Sequence, residues 1–423
     1  MSEKPNQPRE YDAVLGGQAP TPVDGVVLGR LEGVKLRLAS AVVEAQVTAA
    51  LKEALKYGDA GLDLVIGAIN HADRQVQRSA YLLLRERAEP QVKQALKQYK
   101  LWNGFERLYG LPCGHATIFT NRKVENFDPI SGITDPVGTA YALRVSNGYY
   151  VYGGIEENIA DKLELLLQDP KASKIEALVF GVWEYSYDSS KVVVDALVAA
   201  HEYLTSLQAV FIGDIEDLEN MISCIQQSDI SPILSVYPNL EVLKVRGGTN
   251  LAFSPVRHNK LEALCIETGG LSRETVAQIC ALGLPSLEYL ELWLGSRAYD
   301  GDSTIDDVMP IISGESFPKL KYLGLRNSEY SDDIALALVR SPLLERLIEL
   351  DLSMGTLGDE GAEALLNCPA INRLDTLNVA QNYLSRNTIE PLSQLSCQVI
   401  ADKQRGGYSY PTDVEHRYCS VAE

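Results

Sequence analysis

One hydrophobic pattern repeats through the C-terminal half of this 423-residue chain and limits what it can fold into. The pattern is Leu-x-x-Leu-x-Leu, with Ile, Val or Phe allowed, and it occurs eight times between Ile175 and Val379. Alternation with a period of two predicts a short strand at each occurrence. The second anchors lie 32, 33, 21, 26, 33, 27 and 27 residues apart, at Leu178, Val210, Leu243, Leu264, Leu290, Leu323, Leu350 and Leu377.

The intervals between these strands have the composition of return helices. Segments 331–339 and 357–365 open with acidic residues, which the helix dipole favours, and continue with Ala and Leu. Strand and helix together resemble the ribonuclease-inhibitor-like class of leucine-rich repeats. The resemblance implies an α/β leucine-rich-repeat solenoid of parallel strands and return helices over residues 174–400. The 240–260 unit is too short for a full helix and contains Pro255, so we expect a bend or bulge there.

The N-terminal part of the chain has a different, helical period. Residues 1–21 are polar and lack periodicity, which predicts a disordered tail. Residues 22–108 resemble HEAT-type helical pairs, which implies an all-α HEAT-like domain that docks on the repeats or on a second protein. The resemblance depends on apolar positions that return 33 residues later: Val43, Val47 and Leu51 correspond to Val76, Ala80 and Leu84.

Both ends of a repeat array expose its apolar core and need a cover. Residues 109–173 contain two strand-like segments, 112–119 and 138–145, and an amphipathic helix over 156–167. We expect them to form an α+β capping segment. Residues 397–400 predict one last strand, and residues 401–423, which lack the repeat period, predict a C-terminal cap.

Two segments outside the repeats carry a further resemblance. Residues 127–144, with Phe127-Asp-Pro and Arg144, and the end of the chain, with Arg417-Tyr-Cys-Ser-Val421, resemble a family of bacterial leucine-rich-repeat proteins. The helical start is similar to HEAT-like modules attached to repeat proteins in cyanobacteria. The resemblance implies a bacterial, cyanobacterial origin and no catalytic residue.

The net charge of −19 is concentrated in the repeat half. Residues 1–110 carry +2 and residues 111–423 carry −21. Because such a surface repels phosphate backbones, we expect no nucleic-acid partner and favour a basic protein. No apolar run approaches the roughly 18 residues of a membrane helix, and the start lacks a signal sequence. Seven cysteines without a Cys-x-x-Cys pair indicate reduced thiols, so we expect a cytoplasmic protein without a membrane partner.

Motifs for catalysis and metal binding are weak. Asp300-Gly-Asp302-Ser-Thr304 matches a phosphatase nucleophile string, but that chemistry needs a buried strand before it, and Gly295 to Tyr299 predict a loop. Cys113-x-His115 is a close pair with too few partners for a metal site. We therefore expect no catalytic residue, no metal and no cofactor, and we expect that the chain is not an enzyme.

The remaining candidate is a surface. In each repeat the anchors point inward, while the third, fifth and seventh positions lie on the opposite side of the sheet, here called the concave face. We expect these positions to face solvent and bind a protein, with Trp293 between Tyr289 and Tyr322 as its centre. The predicted partner-binding residues are Lys244, Arg246, Glu267, Tyr289, Glu291, Trp293, Tyr322, Arg326, Glu349 and Asp351.

These features favour a non-enzymatic protein–protein interaction scaffold or adaptor that uses the concave acidic face and the HEAT-like helices. An accessory or lyase-like factor in bilin and phycobiliprotein assembly is the alternative, because HEAT-like helices resemble those of phycobilin lyases. Regulation of a GTPase or nuclease is a third possibility, by analogy with other leucine-rich-repeat proteins. The identity of the partner, the pathway and the oligomeric state stay open.

Overall fold

The computed structural model describes residues 30–40, 44–71, 74–84, 87, 89–97, 106–145, 158–183, 189–406, 408–409 and 415–422. The chain divides into two compact units, residues 1–103 and residues 104–423. Residues 106–108, which we assigned to the helical domain, fall in the second unit. The predicted tail over residues 1–21, Val43 and the start of the predicted helix at Glu156 lie outside the described residues.

The described part of the first unit is helical. Its helices pack through a shared core that includes Val47, Leu51, Ala80 and Leu84. Helices α2 and α3 approach closely at Gly61, where a Cβ atom would come within 1.8 Å of the Ala54 carbonyl oxygen. The helices are α1 (Arg30–Ser40), α2 (Glu44–Ala54, extended by a 3₁₀ turn over Leu55–Tyr57), α3 (Gly58–Ala68), α4 (Arg74–Leu84) and α5 (Pro90–Lys97).

The two helices with the 33-residue correspondence do pack together. Helix α2 contacts α4, and the described positions of the correspondence, Val47, Leu51, Val76, Ala80 and Leu84, are buried. The HEAT-type resemblance itself stays a prediction.

Among its described residues, the second unit is built on a 12-stranded sheet in which strand order follows chain order. Only the β1–β2 pair in this sheet is antiparallel; every later pair is parallel. The strands are β1 (Ile118–Phe119), β2 (Arg122–Asn126), β3 (Thr139–Leu143), β4 (Ala177–Phe180), β5 (Ala209–Ile212), β6 (Val242–Arg246), β7 (Ala263–Glu267), β8 (Tyr289–Gly295), β9 (Tyr322–Ser328), β10 (Glu349–Asp351), β11 (Thr376–Asn378) and β12 (Gln398–Ile400).

The strand register follows the repeat pattern. All eight second anchors pair in chain order, from Leu178 opposite Val210 to Leu350 opposite Leu377. Each of these anchors is fully buried and belongs to one hydrophobic core. Parallel strands that alternate with helices confirm the α/β leucine-rich-repeat solenoid that the pattern predicts.

Return helices cover the other side of this core. Acidic residues open α11 and α12, as we expected, and the Asp332 carboxylate accepts hydrogen bonds from the N–H groups of Gly358 and Gly361 at the start of α12. The helices are α6 (Ile159–Leu167), α7 (Lys191–Ala199), α8 (Ser231–Val236), α9 (Arg273–Cys280), α10 (Ile305–Ile312), α11 (Ser331–Leu338), α12 (Asp359–Leu366) and α13 (Arg386–Leu392). The fully described interval between β6 and β7 contains no helix, only isolated bridges at residues 249, 252 and 257.

The segments on either side of the repeats extend the unit. Residues 122–126, which we did not predict as a strand, form β2, and β2 and β3 continue the parallel sheet ahead of the repeats. At the other end, β12 pairs with β11, and a short hairpin follows in β13 (Tyr408–Ser409) and β14 (Glu415–His416). Residues 417–422 then run back along the loops that follow β8 to β11. Val421 makes two hydrogen bonds with Asn327, and Ser420 donates to the Met354 carbonyl oxygen.

None of the helices in the described part of the chain has the length and apolarity needed to cross a membrane.

The paired anchors predict which side-chain truncations most reduce the stability of the solenoid. Leu323→Ala removes a fully buried anchor, so we expect the free energy of unfolding of this unit to fall by about 2–5 kcal/mol. Leu218→Ala is the matched control, because Leu218 is 92% exposed and its truncation should cost less than about 0.5 kcal/mol. Urea unfolding followed by circular dichroism measures both, and equal losses would contradict the anchor assignment.

Candidate functional site

The ten predicted partner-binding residues lie on neighbouring strands and on the same face of the sheet, as the repeat period requires. Their exposure differs from our expectation. Nine are buried within this chain and the tenth, Glu349, is partly buried. The expected solvent-facing surface is therefore wrong for Lys244, Arg246, Glu267, Tyr289, Glu291, Trp293, Tyr322, Arg326, Glu349 and Asp351.

A stretch of the same chain accounts for much of this burial. Residues 106–119, here called the crossing segment, lie across the concave face from β10 to β5. At one end the Arg107 side chain reaches β10. At the other end the Phe119 ring packs on Phe211 of β5, with centroids 5.8 Å apart. A repeat pattern describes only the sheet, so it does not reveal that a preceding segment returns to cover it.

Arg107 binds an acidic and aromatic site on the concave face. Its Nη2 donates to Glu349 Oε1 at 2.7 Å, and Nη1 lies 3.6 Å from Asp351 Oδ2. The guanidinium also stands over the Tyr322 ring, 5.4 Å from its centroid. Burial opposes the charge on Arg107, but attraction to Glu349, Asp351 and the tyrosines raises its pKa well above the usual value. The guanidinium therefore stays charged at this site.

Glu291 is the centre of the hydrogen-bond network beneath Arg107. Its carboxylate accepts from Tyr289 Oη at 2.5 Å, from Tyr322 Oη at 2.9 Å and from Trp293 Nε1 at 2.9 Å. Arg326 Nη1 donates to the same carboxylate at 2.8 Å. The Tyr289 and Tyr322 rings stack with centroids 4.0 Å apart and planes 9° apart. The expected aromatic patch thus exists, and it is a buried network around one carboxylate.

The charge of Glu291 is strongly stabilised. Burial alone would raise its pKa, but Arg326 and Arg107, with hydrogen bonds from Tyr289 and Trp293, lower the pKa to about 2. Arg326 in turn lies 3.5 Å from Asp351 and donates to the Leu108 carbonyl oxygen of the crossing segment.

A second network lies under the other half of the crossing segment. Lys244 Nζ is 2.7 Å from Glu267 Oε1, and Arg246 Nε donates to Glu267 Oε2 at 2.9 Å. Both cations also stand over the Phe211 ring, with Lys244 Nζ 4.7 Å from its centroid. A cavity of about 300 Å³ separates these residues from residues 113–119 of the crossing segment.

Two groups of potential metal ligands occur among the described residues. Cys265, Glu267 and Glu291 form one, but Lys244 and Arg326 already neutralise its carboxylates. Burial raises the pKa of the Cys265 thiol, so it is a poor ligand. The other group is His115, Glu216 and Glu219, at the edge of the cavity, where partial burial of Glu219 and the nearby Glu216 raise the pKa of the Glu219 carboxyl.

The remaining candidate motifs are the Asp300 to Thr304 string and the cysteines. The Asp300 to Thr304 string is a loop, as we expected, and Asp302 accepts a hydrogen bond from the Arg273 N–H. All seven cysteines are free thiols.

Three residues of these networks were not predicted from the sequence: Arg107, Tyr109 and Asp214. The Arg326 guanidinium stands over the Tyr109 ring, 5.5 Å from its centroid. Asp214 forms ion pairs with Arg144 and Arg246 and accepts from the Ala116 N–H at 2.9 Å. One signal was present: the ten concave-face residues include four carboxylates and only three cations. A buried face with that imbalance requires a further positive group, which Arg107 supplies.

Solved structures that are similar to this chain include the following three. A protein from Bacteroides fragilis shares 30% sequence identity over 63% of this chain and 73% of that chain, with a TM-score of 0.56. An internalin from Listeria monocytogenes shares 20% identity over 56% of this chain and 57% of that chain, with a TM-score of 0.31. The leucine-rich repeat-containing protein LegL7 from Legionella pneumophila shares 17% identity over 66% and 89%, with a TM-score of 0.36. No protein-family model and no curated protein matches the chain.

The Glu291 network should make the free energy of unfolding depend on pH in the acidic range. The folded-state pKa of about 2 lies below the ordinary 4.5, so ionised Glu291 stabilises the fold fully above about pH 4.5 and progressively less toward pH 2. Glu291→Gln should lower the free energy of unfolding at pH 7 by on the order of 3 kcal/mol, because Arg326 loses its buried partner. The difference from wild type should narrow on acidification from pH 4.5 to pH 3.

Urea unfolding at each pH measures this difference. Asp195→Asn is the control, because it breaks an exposed ion pair with Lys191 on α7 and should change stability by less than about 0.5 kcal/mol. A difference that stays constant down to pH 3 would contradict the role of Glu291.

Proposed function

This chain belongs to the same family as the Bacteroides fragilis protein and is built as a leucine-rich-repeat solenoid; from that premise we propose that it is a non-enzymatic protein-interaction scaffold. Its concave face recognises an extended segment of a partner protein that presents an arginine. In the unbound protein the crossing segment fills the same face, so the partner replaces residues 106–119. The ten predicted residues then contact the partner only after this exchange.

The contacts of Arg107 carry the proposal. A guanidinium is a planar donor that pairs with carboxylates and stacks on aromatic rings, and Glu349, Asp351 and Tyr322 offer both kinds of contact at once. Arginine and tyrosine are also the residue types that dominate binding energy in protein interfaces. A site that holds an arginine of its own chain in this way has the chemistry to hold an arginine of another.

The charge of the face favours the same kind of partner. Its four carboxylates exceed its three cations, and residues 111–423 carry −21. A basic partner segment is therefore attracted at long range and supplies the missing positive group at the site. This supports the basic partner that we expected from the sequence.

Backbone contacts explain why an extended segment fits. Arg326 donates to the Leu108 carbonyl oxygen, and the Asp214 carboxylate accepts from the Ala116 N–H. Main-chain contacts of this type hold an extended peptide with little dependence on its sequence, and side-chain pockets then give specificity.

The other candidate functions have no comparable support from contacts in the repeat unit. The role in bilin and phycobiliprotein assembly and the regulation of a GTPase or nuclease stay predictions, as do the cytoplasmic location and the bacterial, cyanobacterial origin.

A labelled peptide with the sequence of residues 106–119 tests the proposal. Arg107→Glu combined with Tyr109→Ala in the full chain should release the crossing segment, because charge reversal places a carboxylate against Glu349 and Asp351. The variant should then bind the peptide in trans at least about tenfold more tightly than wild type, whose face is already filled. A peptide with Ala in place of its Arg should bind the variant at least about tenfold more weakly, since each buried charge-assisted contact contributes about 1.5–3 kcal/mol.

Fluorescence anisotropy measures the binding, and circular dichroism verifies that the variant is folded. Lys191→Glu is the control, because it reverses an exposed charge on α7 away from the concave face and should behave as wild type. A folded double variant that does not bind the peptide, or that binds the Ala peptide equally well, would refute arginine recognition by this face.

A further inference from the structure

His115 and two glutamates converge where the crossing segment meets the loop after β5. His115 belongs to the crossing segment, and Glu216 and Glu219 belong to the loop. His115 Nε2 lies 3.6 Å from Glu219 Oε1, and one donor atom from each of the three residues lies within 4.8 Å of the others. The arrangement brings one imidazole and two carboxylates around a common point.

The imidazole of His115 is oriented by the backbone. Its Nδ1 is 3.2 Å from the Asp214 carbonyl oxygen, which can only accept a hydrogen bond. Nδ1 therefore donates to this carbonyl oxygen, and Nε2 is the ring atom that faces Glu219. Histidines that bind metals are held in this manner, with the second nitrogen bonded to a carbonyl or carboxylate.

The carboxylate of Glu219 is oriented as well. Its Oε2 accepts from the Glu216 N–H at 3.1 Å, and its Oε1 is the atom that lies 3.6 Å from His115 Nε2. The Glu216 carboxylate completes the group, with one ligand atom of each residue within 4.8 Å of the others. Nitrogen and carboxylate ligands grouped in this way are typical of zinc-class sites.

We propose that His115, Glu216 and Glu219 bind one divalent transition-metal ion of the zinc class. Bond lengths of about 2.0–2.1 Å in tetrahedral geometry place two ligand atoms about 3.3 Å apart, close to the 3.6 Å between Nε2 and Oε1. A nitrogen ligand selects zinc-like ions over Ca²⁺ and Mg²⁺, which take oxygen ligands. Three protein ligands leave one coordination position open.

The open coordination position would lie beside a cavity. His115 lines the cavity of about 300 Å³ beneath the crossing segment, so water or a small anion can reach an ion bound to Nε2. The ion would also join the crossing segment to the repeat unit, because its ligands come from both. The proposal does not depend on the proposed function, since it requires only that the crossing segment lie as it does here.

Titration of chelator-treated full-length protein with Zn²⁺, against a chromophoric zinc indicator, tests the site. We expect one ion per chain, with affinity unchanged by excess Mg²⁺ or Ca²⁺. His115→Ala and Glu219→Gln should each weaken binding by on the order of 100-fold or more, since the loss of even an outer partner of a metal ligand costs about 10–100-fold. His201→Ala is the matched control, because His201 is an exposed histidine on a different element and its loss should leave the affinity unchanged.

Co²⁺ distinguishes this site from binding by the seven cysteines. A site of one imidazole and two carboxylates gives visible bands without the near-ultraviolet sulfur-to-cobalt charge transfer. Circular dichroism verifies that each variant is folded, and Glu219→Gln keeps the size of the side chain. Stoichiometric binding that survives in both variants, strong sulfur-to-cobalt absorption, or no binding by wild type would each overturn the proposal.

Discussion

The parallel register of the repeat strands is the constraint on which the rest of the second unit depends. Each anchor lies opposite the equivalent anchor of the next repeat, so apolar side chains form continuous rows on one side of the sheet. A shift of one residue would move every anchor to the other face, and the buried rows exclude this. The same register aligns the third, fifth and seventh positions on the concave face, and polar residues far apart in the chain become neighbours.

That alignment brings several carboxylates together on the concave face, where buried negative charge needs compensating positive charge. Glu291 and Asp351 share Arg326 as their cation on the sheet, and Glu349 pairs with Arg107 of the crossing segment. Carboxylates removed from water are stable only when charges and hydrogen bonds compensate them. Arg107 provides part of this compensation, which explains why the crossing segment can lie on a polar face and not only on an apolar one. The proposed recognition of an arginine by this face follows from the same need for positive charge beside the carboxylates.

The segments outside the repeats determine which surfaces remain accessible. Residues 106–119 cover the concave face, and residues 417–422 lie along the loops at the carboxyl ends of β8 to β11. The crossing segment also brings His115 to Glu216 and Glu219. The two proposed binding sites of this unit, for an arginine and for a metal ion, thus lie where a non-repeating segment meets the repeats.

The periodic part of the structure could be predicted, because hydrophobic alternation and acidic helix starts are local properties. They indicated the solenoid, the anchor pairing and the single face shared by Tyr289, Trp293 and Tyr322. The burial of that face could not be predicted in the same way. Arg107 lies 242 residues before Glu349, and no local pattern links them.

The amino-acid sequence by itself determined the repeat class, the inward anchors and the chemical character of the concave face, because a side chain's position within a strand sets the face on which it lies. Only the tertiary structure decided that this face is covered, that Glu291 is the centre of a buried network, and that His115 meets two carboxylates. The cover and the His115 group require the chain to return across several strands, and the Glu291 network requires side chains of two neighbouring repeats to meet. Such contacts depend on the sum of packing and charge interactions over the whole unit. A residue's neighbours in sequence do not determine that sum.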